Sequence, residues 1–304
     1  MKKIIAILFV SLVTIVAAVP AVRNAERTPL PEGQWSGVPG TIVQLSRGGT
    51  HYEAGGPLDG PPVVLVPGMS VPSYIWDSTF TALAQAGFRV IRYDLYGRGF
   101  SARPKVVYDR ALFVGQLAEL LDSLRITQPV DIIGLSLGGA ITAAFVNDNP
   151  TRVRRVAFIA PFNTARDIGP LERPIVGEYI AAAVVVPGMP ESQLGDFADP
   201  ARFPGWVARY REQMRYRGFR AAILSTMRHF VTRDPMPDYR AVGAQQRPLL
   251  LVWGEQDSVV PFAQSAGLRE ALVNAEFVAV PNTGHLPHFE RASTVNPLLV
   301  RFLQ

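Results

Sequence analysis

The run Gly134-Leu135-Ser136-Leu137-Gly138-Gly139 leaves this chain few ways to fold. It follows the largely apolar Val130 to Ile133 and precedes a helix-like apolar run, Ala140 to Val146. A strand that turns at once into a helix holds the turning residue in strained backbone. It also brings its neighbours too close for a Cβ, which is why glycine flanks such a turn on both sides. The spacing predicts Ser136 at the carboxyl end of a strand, its hydroxyl raised above the sheet and a helix N-terminus behind it. Small residues around a serine also occur in ordinary turns, so the rest of the chain decides what the serine does.

Around that turn the pattern alternates. Thr41 to Ser46 and His51 to Ala54 predict a hairpin about Arg47-Gly48-Gly49. Strands are expected at Val63–Val66, Phe88–Asp94, Val130–Leu135 and Val153–Ala160, with helices at Tyr74–Ala86, Tyr108–Leu124 and Ala140–Val146. The alternation stops at Pro161 and resumes with strand Leu249–Trp253, helix Phe262–Val273 and strand Ala275–Val280. Apolar strands alternating with amphipathic helices imply an α/β fold: a doubly wound, mostly parallel sheet with helices on both faces. The interruption, residues 162–238, is too long for a loop and carries helical runs at Gly177–Val186, Pro204–Arg217 and Phe219–Phe230. It is expected to be an inserted helical cap above the site, within a domain spanning residues 40–304.

Met1-Lys2-Lys3 before the apolar Ile4 to Val19 is a basic flank on a signal-like segment, followed by small residues around Val19-Pro20-Ala21. Residues 1–21 therefore read as a cleaved signal peptide or a retained membrane anchor, with residues 22–39 as a linker rich in Pro, Gly and polar residues. Either way the basic flank stays inside and the body is exported, periplasmic or secreted, or held at the outer face of the cytoplasmic membrane.

Composition narrows the chemistry. The chain has no cysteine, which excludes disulfides, zinc–thiolate sites and a cysteine nucleophile. Its net charge of +5 comes almost wholly from scattered arginines, without the basic groove and stacking aromatics that nucleic acid requires. The arginines between Arg202 and Arg233 read as a solvated basic face, with an anionic lipid surface or a carboxylate-bearing substrate as the functional alternatives. No residue pattern asks for a metal or another cofactor.

A serine hydroxyl needs a base to take its proton and a third group to orient that base. Of four histidines, His285 follows the last strand on the same sheet edge as Ser136 and is the chosen base, with His288 the alternative. His51, on the hairpin, and His229, in the cap, read as surface or packing residues. The turn Gly254-Glu255-Gln256-Asp257 follows another strand on that edge. Asp257 is the expected orienting acid, with Glu255 the alternative. The backbone N–H of Leu137, at the helix start, and that of Met69, after Pro67-Gly68, are the expected oxyanion donors. Phe197, Phe203, Trp206, Met214, Met227 and Phe230 of the cap offer apolar material for an acyl pocket or for plain packing.

Val66-Pro67-Gly68, Tyr93-Asp94-Leu95-Tyr96-Gly97-Arg98-Gly99-Phe100-Ser101, the Ser136 turn, Gly254 to Asp257 and Gly284-His285 together resemble the α/β-hydrolase family. The resemblance runs from Val38 to Gln304 and is similar within the family to monoacylglycerol lipases and carboxylesterases. It implies a serine hydrolase cleaving small carboxylic or acyl-lipid esters through an acyl-enzyme. Family members that use an aspartate nucleophile, dehalogenases and epoxide hydrolases, are disfavoured by Ser136. Carbon–carbon bond hydrolases, perhydrolases and a non-catalytic ligand receptor remain as alternatives. One departure is plain: Pro67 stands where the family commonly has histidine. The Asp94 turn reads as structural.

Overall fold

The computed structural model describes residues 2–31 and 37–304; residues 32–36 of the expected linker, and Met1, lie outside the described residues. Eight strands form one sheet: β1 (Thr41–Leu45), β2 (Gly48–Gly55), β3 (Pro62–Val66), β4 (Arg89–Tyr93), β5 (Val130–Leu135), β6 (Val153–Ile159), β7 (Leu249–Gly254) and β8 (Ala275–Val280). Their order is β1-β2-β4-β3-β5-β6-β7-β8. The β1–β2 and β2–β4 pairs are antiparallel and every other pair is parallel. The helices are α1 (Lys2–Val22), α2 (Asp77–Gln85), α3 (Arg110–Ser123), α4 (Leu137–Asp148), α5 (Val176–Ile180), α6 (Val186–Ser192), α7 (Trp206–Met214), α8 (Phe219–Thr226), α9 (Met236–Gly243), α10 (Ser265–Ala271), α11 (Pro287–Glu290) and α12 (Ala292–Leu303).

Strands β3, β5 and β7 are buried along their whole length, which is why they read as apolar runs, broken only in β5 by Asp131, whose buried carboxylate is paired with Arg154. Side chains alternate faces along a strand. Val64, Val66, Ile132, Leu249 and Leu251 pack with α3, α4, α9 and α10. Val63, Leu65, Ile133, Leu250 and Val252 pack on the other face with α2, α12 and the cap. The doubly wound architecture follows.

Differences from the sequence expectation have local causes. Helix α4 begins at Leu137, a turn earlier than Ala140, because Gly138 and Gly139 belong to it despite their poor helix propensity. A Cβ on Gly138 would lie 2.3 Å from the Val66 carbonyl oxygen, so only glycine lets α4 approach β3 there. The expected helices Gly177–Val186 and Phe219–Phe230 each contain a π-helical turn, Ala181–Val185 and Met227–Val231. Pro187 has no N–H to serve the carbonyl of Ala183 four residues earlier, and that oxygen instead accepts from the Arg23 guanidinium at 2.7 Å. Residues beyond α1 lie along the cap: Thr28 N–H donates to the Arg215 carbonyl, and its own carbonyl accepts from Arg217 N–H.

Candidate active site

The carboxyl ends of β3, β5, β7 and β8 converge at one edge of the sheet, where ligands bind in folds of this kind. Ser136 follows β5 at φ 53° and ψ −121°, a left-handed conformation costly for any residue but glycine. Backbone bonds hold it there: its N–H donates to the Ile159 carbonyl at 3.0 Å, and its carbonyl accepts from Gly139 at 2.9 Å and Phe162 at 2.9 Å. Leu137 is the first residue of α4, so its N–H has no intrahelical partner.

The loops after β7 and β8 pack against each other. A Cβ on Gly254 would lie 2.0 Å from the Gly284 carbonyl oxygen, and Gln256 N–H donates to the Thr283 carbonyl at 2.9 Å. Their contact brings His285 Nδ1 to 2.8 Å from Asp257 Oδ2. The other Asp257 oxygen accepts from the Val259 and Val260 N–H groups at 2.8 and 2.9 Å, fixing the carboxylate. Burial works against a charge on His285, but the adjacent Asp257 carboxylate outweighs it and raises the imidazole pKa above 6.5.

The alternatives separate cleanly. Glu255 is exposed while Asp257 is buried. His288 packs its ring 4.5 Å from Trp76, with Nε2 at 3.2 Å from the Ile75 carbonyl, and burial lowers its pKa to about 3. His229 is exposed. His51 is not a surface residue: it is buried between Asp94 Oδ2 at 3.0 Å and the Pro39 carbonyl at 2.8 Å. Both partners only accept, so the imidazolium alone satisfies both nitrogens. Burial opposes that charge, yet Asp94 raises the pKa. Asp94 also accepts from the N–H groups of Ser73 at 2.7 Å and Phe100 at 2.9 Å, a structural knot under the oxyanion loop.

Ser136 and His285 line one cavity of about 100 Å³, with Gly68, Met69, Ser70, Gln193 and Asp196 also on its wall. None of the six apolar cap residues expected for an acyl pocket lines it. Phe197, Phe203 and Trp206 instead form an aromatic cluster with Phe289, at centroid distances of 4.5 to 6.2 Å. Half of the eight arginines in the basic run are ion-paired, with Arg209 on Asp77, Arg211 on Glu191, Arg215 on Glu212 and Arg228 on Glu178. Among the described residues, no three His, Asp or Glu side chains cluster as a metal site would need.

Several residues of the site carry no local sequence signal. Fully buried Arg98 donates through Nε to the Met69 carbonyl at 2.6 Å, and through its other nitrogens to the Tyr96 carbonyl at 3.0 Å and Thr226 Oγ1 at 2.7 Å. Burial lowers its pKa to about 10, so it stays charged at neutral pH, with the Tyr108 and Phe113 rings facing it. Gln213 of α7 bonds the Ser70 carbonyl at 2.7 Å. The loop after β3, where Pro67 stands in place of a histidine, is thus held from below by Arg98 and from the cap by Gln213. The base loop is held likewise: His285 N–H donates to the Asp196 carbonyl at 2.7 Å, and Glu290 accepts from Gly284 and Ala198 at 2.6 and 2.9 Å.

A model of the alpha/beta hydrolase family matches residues 63–298. The chain belongs to that family. It is 25% identical over 279 residues to an AB hydrolase superfamily protein of Bacillus subtilis, across 84% of this chain and 94% of that protein. It is 29% identical over 232 residues to a poly(3-hydroxyalkanoate) depolymerase of Ectopseudomonas oleovorans, across 71% and 75% of the two chains. The enol-lactonase structure from Burkholderia xenovorans aligns with a TM-score of 0.74 at 25% identity, covering 86% of this chain and 99% of that one. A meta-cleavage product hydrolase shares the fold, with a TM-score of 0.72 at 24% identity over 87% and 97%. These likenesses make the chain a hydrolase by family and leave its substrate bond open.

Proposed function

We propose that the protein is a serine hydrolase of carboxylic esters, of the carboxylesterase or monoacylglycerol-lipase kind. The observation that carries the reading is a single cavity shared by Ser136, strained at a strand-to-helix turn, and His285, held by Asp257. With Nδ1–H committed to Asp257, His285 presents Nε2 as the acceptor for the Ser136 proton. Ser136 Oγ then attacks the acyl carbon. The tetrahedral oxyanion sits before the N–H groups of Leu137 and Met69, whose worth is greatest in a water-poor cavity. His285 returns the proton to the leaving alcohol and next activates the water that frees the acid. The lactonase among the relatives supports the ester reading, since a lactone is a cyclic ester. Ser136→Ala should lower kcat on p-nitrophenyl butyrate by about 10³–10⁶-fold and abolish labelling by a fluorophosphonate probe. Near-full activity in that variant would refute the assignment. A folded wild type that the probe never labels would favour the non-catalytic receptor.

We further propose that α1 anchors the chain at the outer face of the cytoplasmic membrane. Its 21 residues rise about 31 Å in all, of which about 21 Å, residues 2–15, precede its contact with the cap and are available to the bilayer. Ile5, Leu8 and Phe9 lie more than half exposed on it. At its carboxyl end the Val16 carbonyl accepts from Tyr179 Oη at 2.9 Å, beside cap residues Ile175, Val176 and Val184, which expose apolar side chains.

A further inference from the structure

Two hydrogen-bond acceptors in the catalytic cavity have no donor. Gln193 and Asp196 enter it from the cap segment after α6, and both are at least nine-tenths buried. Gln193 Oε1 is shielded from solvent without a hydrogen bond; the Asp196 carboxylate, which is not shielded in that way, lies on the same cavity wall and has no protein donor among the described residues. The neighbouring acids differ: Asp257 is filled by two N–H groups and His285, and Glu290 by two N–H groups. A buried acceptor without a partner carries a real free-energy penalty, so one retained in a site marks a place where a ligand donates.

The segment that carries the pair is fixed, not loose. The Asp196 carbonyl accepts from His285 N–H, and the Gly195 carbonyl accepts from Ser258 Oγ at 3.0 Å. The acceptors are thereby set at a constant position relative to the base. Ser136 lines the same cavity of about 100 Å³ as the two acceptors, so a donor carried close to the scissile carbonyl is placed to meet them.

We propose that Gln193 and Asp196 form an acceptor subsite that selects esters bearing a hydroxyl group close to the scissile carbonyl and rejects those bearing a carboxylate there. This rests on the ester-hydrolase reading and narrows it to a substrate class. A site built to bond a hydroxyl discriminates strongly against the analogue lacking it, because its buried polar groups are then left unpaired. Asp196 adds the charge discrimination. Burial, with Asp257 and Glu290 nearby and His285 opposing, raises its pKa to about 6, so it is mostly ionised at pH 8 and repels a second carboxylate.

The test is kcat/KM at pH 8 for the full chain on p-nitrophenyl butyrate, 3-hydroxybutyrate and hemisuccinate, with fluorophosphonate titration of active sites. The wild type should prefer the hydroxy ester over butyrate by about tenfold or more and disfavour the hemisuccinate. Gln193→Leu should bring the hydroxy-to-butyrate ratio toward one. Asp196→Asn, of the same shape, should bring the hemisuccinate-to-butyrate ratio toward one. A wild type that turns over butyrate with no hydroxy preference overturns the subsite and leaves the ester reading standing. Ratios that neither variant moves do the same. No turnover of any ester and no probe labelling overturns both.

Discussion

Burial drives the His285 pKa down, the Asp257 carboxylate drives it up, and the second influence prevails. A general base works in its neutral form, so kcat/KM should fall with decreasing pH through an apparent pKa above 6.5. Asp196, which titrates near 6 on the same cavity wall, widens that acid limb because its charge also favours the imidazolium. Asp257→Asn removes the largest influence raising that pKa and leaves burial opposed only by the weaker influence of Asp196. The limb should then move below 6.5, with kcat lower by about 10⁴-fold as the tautomer is no longer held. A wild-type limb below 6.5, or one that Asp257→Asn leaves in place, would contradict this account. At this scale the placement of Ser136, Asp257 and His285 was legible, because each follows a strand in a glycine-marked turn and only four histidines compete. Gln193 and Asp196 were not legible. Nothing in Gln193-Leu194-Gly195-Asp196 signals a site until the cap is folded onto the sheet, when a backbone bond to His285 sets their position.

Strand alternation made the sheet readable, since burial on both faces leaves short apolar runs that recur between longer amphipathic helical segments. The cap was readable only as an insertion. Its helices contain π turns and prolines, and its contacts with the loops below come from single polar residues without periodicity. Arg98 shows how such a contact supports an element. Its turn, Tyr96 to Ser101, read as structural, but its guanidinium bonds the Met69 carbonyl and the cap residue Thr226 at once. Arg98→Met should leave both oxygens without that donor and let the oxyanion loop shift. A displacement of about 1 Å there costs on the order of 100-fold in rate, so kcat should fall 10- to 100-fold while KM changes far less. Arg98→Lys, which keeps the charge but reaches fewer acceptors, should lie between. A folded Arg98→Met protein with wild-type kcat and wild-type probe-labelling rate would assign the residue to stability alone.

For the whole molecule, α1 stands apart from the hydrolase body in what it buries. Among the described residues its apolar side chains are mostly exposed, and its bonds to the cap run through Val16 and, just after the helix, Arg23. The segment beyond it is tied to the cap at Thr28, and the Glu26 carboxylate accepts from the Gly218 and Arg220 N–H groups. If α1 lies in a bilayer, the cap's exposed Ile175, Val176 and Val184 meet the membrane interface beside it, and removing the helix should change location without changing chemistry. The full chain should fractionate with membranes, resist extraction by alkaline carbonate and retain Met1 at its N-terminus. A chain beginning at Arg23 should be soluble, with kcat/KM on p-nitrophenyl butyrate within about threefold of the full chain, because none of the described side chains of α1 lines the catalytic cavity. Mass mapping that finds the mature N-terminus near Val22 would replace the anchor with a cleaved signal. A full chain recovered from the soluble fraction with Met1 intact would exclude both.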